Sequence, residues 1–132
     1  MKKVACSLAV LLMLITTICH SAHADGVSIQ SSQMFRSVSV QGNTTGTVTF
    51  SALLNMQCTS IEISSCTLHL YEDSKWSYVT TLGVPEGKSN VLRYGASVDY
   101  SASLTHGNTY RVVVTFTADG ESVTKTSNSF SY

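Results

Sequence analysis

The stretch "LTHGNTYRVVVTFTADG", residues 104–120, decides the fold. From Tyr110 to Thr117 two sets of side chains alternate, Tyr110, Val112, Val114 and Phe116 against Arg111, Val113, Thr115 and Thr117. A period of two is strand periodicity, because successive side chains of an extended chain point to opposite faces. The three adjacent valines hide which face is dry. Asp119-Gly120 beyond them suits a two-residue hairpin turn whose twist matches antiparallel strands, and it pairs Phe116 with Val123 and Thr115 with Thr124. A three-residue loop through Glu121 would shift that register by one.

Working outward, valine, isoleucine and tyrosine recur at two-residue spacing almost everywhere, and no stretch carries a helical period. Val27–Ile29 and Met34–Val40 read as a first, interrupted strand. Gln41-Gly42-Asn43 is turn chemistry, and Thr47–Met56 then alternates with Val48, Phe50, Ala52, Leu54 and Met56 on one side. Ile61–Tyr71 and Trp76–Leu82 come next. A polar stretch with Pro85, Gly87 and Asn90 precedes Val91–Tyr94, Val98–Leu104, Tyr110–Ala118 and Ser122–Thr126. About seven short strands at regular spacing predict an all-β, antiparallel two-sheet sandwich.

The run from Leu104 to Val114 resembles the approach to the sixth strand of fibronectin type III and related immunoglobulin-like domains. The spacing of Leu104 and Tyr110 and the placement of Gly107 fit, His106 stands where that family usually has proline, and its frequent early-strand tryptophan is missing from Thr47–Met56. The resemblance implies an immunoglobulin-like sandwich with a corner in which the Tyr110 hydroxyl bonds back to the backbone. Tyr110 then faces the core, and Val112, Val114 and Phe116 follow it inward, each contributing about 1.5 to 3 kcal/mol before entropy is subtracted. Small size, Ser/Thr-rich strands and the phrase "LHLYEDSKWSYVTTL" are also similar to short exported immunoglobulin-like proteins of Gram-positive bacteria.

The first residues speak to address. Lys2 and Lys3 precede an apolar run from Val4 to Ile18, and Ala22-His23-Ala24 carries small residues where a signal peptidase reads them. Residues 1–24 are therefore expected to be a signal peptide and 25–132 one domain. A retained anchor is the other reading, but the run is short for a span and its far flank is polar. Loss of Lys2 and Lys3 leaves six basic residues against eight acidic ones, a net charge of roughly −2. With no basic patch, nucleic acid and anionic membrane are poor partners. In an exported chain Cys58 and Cys66 are expected to form a disulfide, since His69 and His106 do not complete a zinc-ligand spacing.

No stretch carries a nucleophile elbow, a glycine-rich phosphate loop or a metal signature. His69 and His106 could be combined with Asp73, Asp99 or Asp119 on paper, but His106 reads as a solvated corner residue. Glu72, Asp73, Asp119 and Glu121 read as solvated loop charges. No catalytic residue, metal or cofactor is therefore expected. Threonines two apart, at 47/49, 115/117 and 124/126, are what the outward face of any sheet prefers.

The sharper feature is a hairpin. A turn at Asp73-Ser74 sets Glu72 opposite Lys75, Tyr71 opposite Trp76, His69 opposite Tyr78 and Leu68 opposite Val79. If Leu68, Leu70 and Val79 face the core, then His69, Tyr71, Trp76 and Tyr78 share the outer face. There they could stack on sugar rings or anchor a protein. Coverage by the chain's own loops, or reversal of the strand faces, is the competing reading. The sequence thus predicts a secreted, non-enzymatic binding protein recognising a glycan or protein at an extracellular surface. An antimicrobial or toxin-like factor and a structural subunit of an extracellular assembly are the alternatives. Oligomeric state is not written in the sequence.

Overall fold

A computed structural model describes residues 33–132. The expected signal peptide with its cleavage site, and the expected Val27–Ile29 strand, lie outside the described residues. The described chain is all-β. Seven strands join in one antiparallel sheet: β1 (Phe35–Gly42), β2 (Thr47–Glu72), β3 (Lys75–Thr81), β4 (Lys88–Asp99), β5 (Thr109–Ala118), β6 (Glu121–Thr126) and β7 (Phe130–Ser131).

The opening stretch folds with the Tyr110 set inward. Tyr110, Val112, Val114 and Phe116 are buried, whereas Arg111, Val113, Thr115 and Thr117 are half-buried on the other face. Thr105 N–H donates to the Tyr110 hydroxyl at 2.9 Å, closing the corner, and Gly107 takes φ +88° within it, where a side chain would be strained. Leu104 packs against the same core. His106 does more than meet solvent: its ring stacks on Tyr132, centroids 4.2 Å apart. After β5, Asp119 (φ 44°) and Gly120 (φ 86°) form the two-residue turn, with Phe116 opposite Val123 and Thr115 opposite Thr124.

β2 departs from expectation. Thr47–Met56 and Ile61–Tyr71 are not separate strands but parts of one strand of 26 residues. Its first half lies between β1 and β4, and its second half between β3 and β5. The inward positions show how one strand serves both. They are even-numbered through Val48, Phe50, Ala52, Leu54 and Cys58, odd at Ile61 and Ile63, and even again at Cys66 and Leu68. One register shift lies between Leu53 and Cys58, within the first even-numbered run, and the return to even positions coincides with another between Ile63 and Ser65. Such bulges bend and twist a strand. Met56, expected inside, falls in the first irregularity and is 53% exposed.

β4 fuses Val91–Tyr94 with the start of the expected Val98–Leu104 strand. The rest of that segment is not strand: Asp99 Oδ1 accepts the Ser101 N–H at 2.8 Å, and a single 3₁₀ turn, Ser101–Ser103, follows. The sheet curls around Phe50, Tyr94, Phe116, Ile61 and Leu68, with the Tyr94 and Phe116 rings edge to face at 6.2 Å. Curling brings β1 against β6, leaving a cleft lined by Ser39, Val40, Gln41, Gly42, Lys125, Thr126 and Asn128.

The expected Cys58–Cys66 disulfide is not formed. Both thiols are free and buried. They stand eight positions apart on one extended strand, about 26 Å at the usual rise, whereas a bridge needs Cα atoms within about 7 Å. Cys58 Sγ donates instead to the Val91 carbonyl at 3.3 Å. Burial pushes the Cys66 thiol up to about 11, partly offset by its hydrogen bond with Tyr100.

Candidate functional site

The β2–β3 hairpin turns at Asp73 (φ 50°) and Ser74 (φ 63°), both left-handed, as this kind of two-residue turn requires. Glu72 therefore pairs with Lys75, Tyr71 with Trp76 and His69 with Tyr78, as the sequence predicts. The fourth pair is different. A bulge between Leu68 and His69 sets Leu68 against Thr80, so Leu68 remains in the core while Val79, expected to share it, is 44% exposed.

With Leu68 buried and Leu70 packed against the core, the four predicted residues fall on the outer face. The Tyr71 and Trp76 ring centroids are 5.0 Å apart and tilted by 51°; those of His69 and Tyr78 are 6.1 Å apart and nearly perpendicular. Tyr78 is 59% and Tyr71 46% exposed, while His69 and Trp76 are half-buried. The faces are not reversed, and among the described residues no loop covers the cluster, which lies on the surface of the described chain.

Sequence reasoning missed a fifth member, Arg111. It pairs with His69 across β2 and β5. From there its side chain reaches diagonally over β2 to Trp76, placing Cζ 4.4 Å from the ring centroid. A guanidinium over a tryptophan face is attracted by the ring quadrupole. The signal was present, since the face choice that turned Tyr110 inward turned Arg111 outward, but no sequence rule joins it to a hairpin about forty residues away.

Electrostatically the cluster is simple. Burial, and then the Arg111 charge, hold the His69 imidazole below its ordinary value, favouring the neutral ring at neutral pH. Its Nε2 lies 3.1 Å from the Thr67 hydroxyl. Arg111 is thus the single formal charge among the five side chains. Its guanidinium makes no hydrogen bond or ion pair with any described residue, and its Nε is buried without an acceptor among them. Beside the cluster lies a band of hydroxyls that pair across strands: Thr109 with Ser131 at 3.1 Å, Thr115 with Thr124 at 2.9 Å and Thr117 with Ser122 at 2.8 Å.

The other polar residues considered in the sequence serve the turns. Asp119, expected to be solvated, accepts the N–H groups of Thr59 and Ser60 at 2.8 and 2.9 Å. His69, His106 and the three aspartates named with them are engaged separately, on the outer face, against Tyr132 and at turns. Among the described residues, no helix is long and apolar enough to cross a membrane. No protein-family model matches the chain, and no curated protein matches it either.

Proposed function

We propose that this chain is an exported, non-enzymatic binding protein that docks carbohydrate on the outer face of the β2–β3 hairpin. One observation carries the reading: Tyr71 and Tyr78 present large ring area to water while their partners Trp76 and His69 hold them in place. Aromatic rings fixed on a sheet offer amphipathic contact area at low conformational cost. The neighbouring hydroxyl band suits a polyhydroxy ligand better than the apolar centre of a protein interface.

The same reading takes the curled sheet as an immunoglobulin-like sandwich. β1, the first half of β2 and β4 form one side, and β3, the second half of β2, β5 and β6 the other. The hydrogen bond from the corner backbone to Tyr110 supports it. An extracellular address is supported by the leader-like first 24 residues and by the likeness to short exported Gram-positive proteins.

Trp76→Ala is the test, in glycan-array and whole-cell binding. The variant should keep its strand signal in circular dichroism, lose roughly 1 to 2 kcal/mol of stability, and lose ligand binding at least tenfold. Gross unfolding would make the ring a core element, and full retention of binding would place the docking surface elsewhere. Binding to a surface protein with no sugar dependence would transfer the role to a protein partner.

A further inference from the structure

The aromatic face holds one positive charge, and no described residue neutralises it. Arg111 is half-buried and lies over Trp76. Half-burying a charge removes hydration, and folded proteins ordinarily supply a carboxylate in return. Here the nearest charged pair in register, Glu72 and Lys75, sits at the hairpin end, and no described carboxylate bonds to the guanidinium. Its Nε is buried with no acceptor among the described residues. A planar guanidinium offers a fork of donors that matches a carboxylate in two-point geometry.

Resting on the carbohydrate reading above, we propose that the face selects an acidic saccharide, with a sugar-ring carboxylate meeting Arg111 while adjoining rings stack on Tyr71 and Tyr78. The charge complementarity is specific to this spot, because the other members of the cluster, His69, Tyr71, Trp76 and Tyr78, bring no negative group. Arg111 supplies selectivity for the anion and the aromatics supply contact area. Binding therefore weakens with salt in proportion to the ionic part alone.

The molecule carries its own reporter, since Trp76 is the sole tryptophan. Its emission is followed while the protein is titrated with a glucuronate-containing tetrasaccharide, with the same tetrasaccharide after reduction of its carboxylates to alcohols, and with inorganic phosphate. The acidic sugar is expected to change the emission saturably and to bind at least tenfold more tightly than its reduced counterpart, with phosphate giving no saturable change. Arg111→Gln should bring the two sugars to equal, weak affinity, and Arg111→Lys should leave a preference of only a few-fold. Should Arg111→Gln fold poorly, the wild-type salt series decides: added sodium chloride must weaken the acidic sugar and spare the neutral one.

Equal affinity of the two sugars for the wild type would overturn the acidic preference and leave the aromatic platform standing. Response to phosphate as strong as to the acidic sugar would reduce the site to a plain anion contact. No response to any sugar, with Trp76 still exposed to a neutral quencher, would remove the carbohydrate reading itself.

Discussion

The carboxamide of Asn128 is paired with the peptide of Gly42. Its Oδ1 accepts the Gly42 N–H and its Nδ2 donates to the Gly42 carbonyl, each at 3.0 Å. One side chain thereby copies a rung of strand pairing across the seam where β1 approaches the chain after β6. Gly42 is required there, because a methyl group would run into the Phe130 ring.

Asn128→Ala removes both bonds at once and should lower stability by about 1 to 3 kcal/mol. A urea titration with an unchanged midpoint would show that the seam holds without it. Gly42→Ala, which overpacks the same place, should cost a similar amount.

Asp119 ties the β5–β6 turn to the bend of β2 through the N–H groups of Thr59 and Ser60. Asp119→Ala should cost roughly 2 kcal/mol, since two charge-assisted bonds go but the site is open to water. Asp119→Asn keeps a single good acceptor and should recover part of that loss. Equal stabilities for the two variants would mean that the carboxylate does not clamp the bend.

Tyr110→Phe leaves the ring in the core but removes the acceptor for the Thr105 N–H, and the 3.3 Å contact from Asn108 Nδ2. A loss of about 1 kcal/mol in a denaturant titration is expected. No loss would mean that solvent satisfies the corner equally well.

Free thiols at Cys58 and Cys66 make two claims. Reductant should leave the melting temperature unchanged, and alkylation should label both cysteines only after unfolding. The second claim concerns alkali. The folded Cys66 holds its proton up to about 11 against an ordinary value of 9.0, mainly through burial, and burial raises Tyr100 likewise. Folded protein thus binds more protons than unfolded protein above pH 9. Stability is full below that value and falls as pH climbs toward 11. Cys66→Ala should flatten the fall; an unchanged slope would assign it to other groups.

Ser74 adopts φ 63°, a conformation that disfavours residues bearing a Cβ. Ser74→Gly should therefore stabilise the hairpin by about 0.5 to 1 kcal/mol and raise the melting temperature. A drop would point to a role for the serine side chain.

Features set by neighbours in sequence were legible. The inward set of β5, both two-residue turns, the Tyr71/Trp76 and His69/Tyr78 pairs and the outward aromatic face all follow from two-residue periodicity and turn chemistry. The continuity of β2 was not. Residues 57–60, between the two expected strands, read as a loop would, and a local pattern cannot distinguish a loop from an irregularity whose flanks stay hydrogen-bonded. The disulfide expectation failed for that same reason, because two cysteines on one strand cannot meet. Asp119 and Arg111 went unrecognised because their partners are distant in sequence.

Strand β2 pairs with β1, β3, β4 and β5, so none of those four can open while leaving it unaffected; only β6 and β7 are held through β5 instead. That wiring couples the two halves of the sheet to each other through one strand. Amide deuteration should find the slowest protons of both halves of β2 exchanging with one common free energy, equal to that of global unfolding.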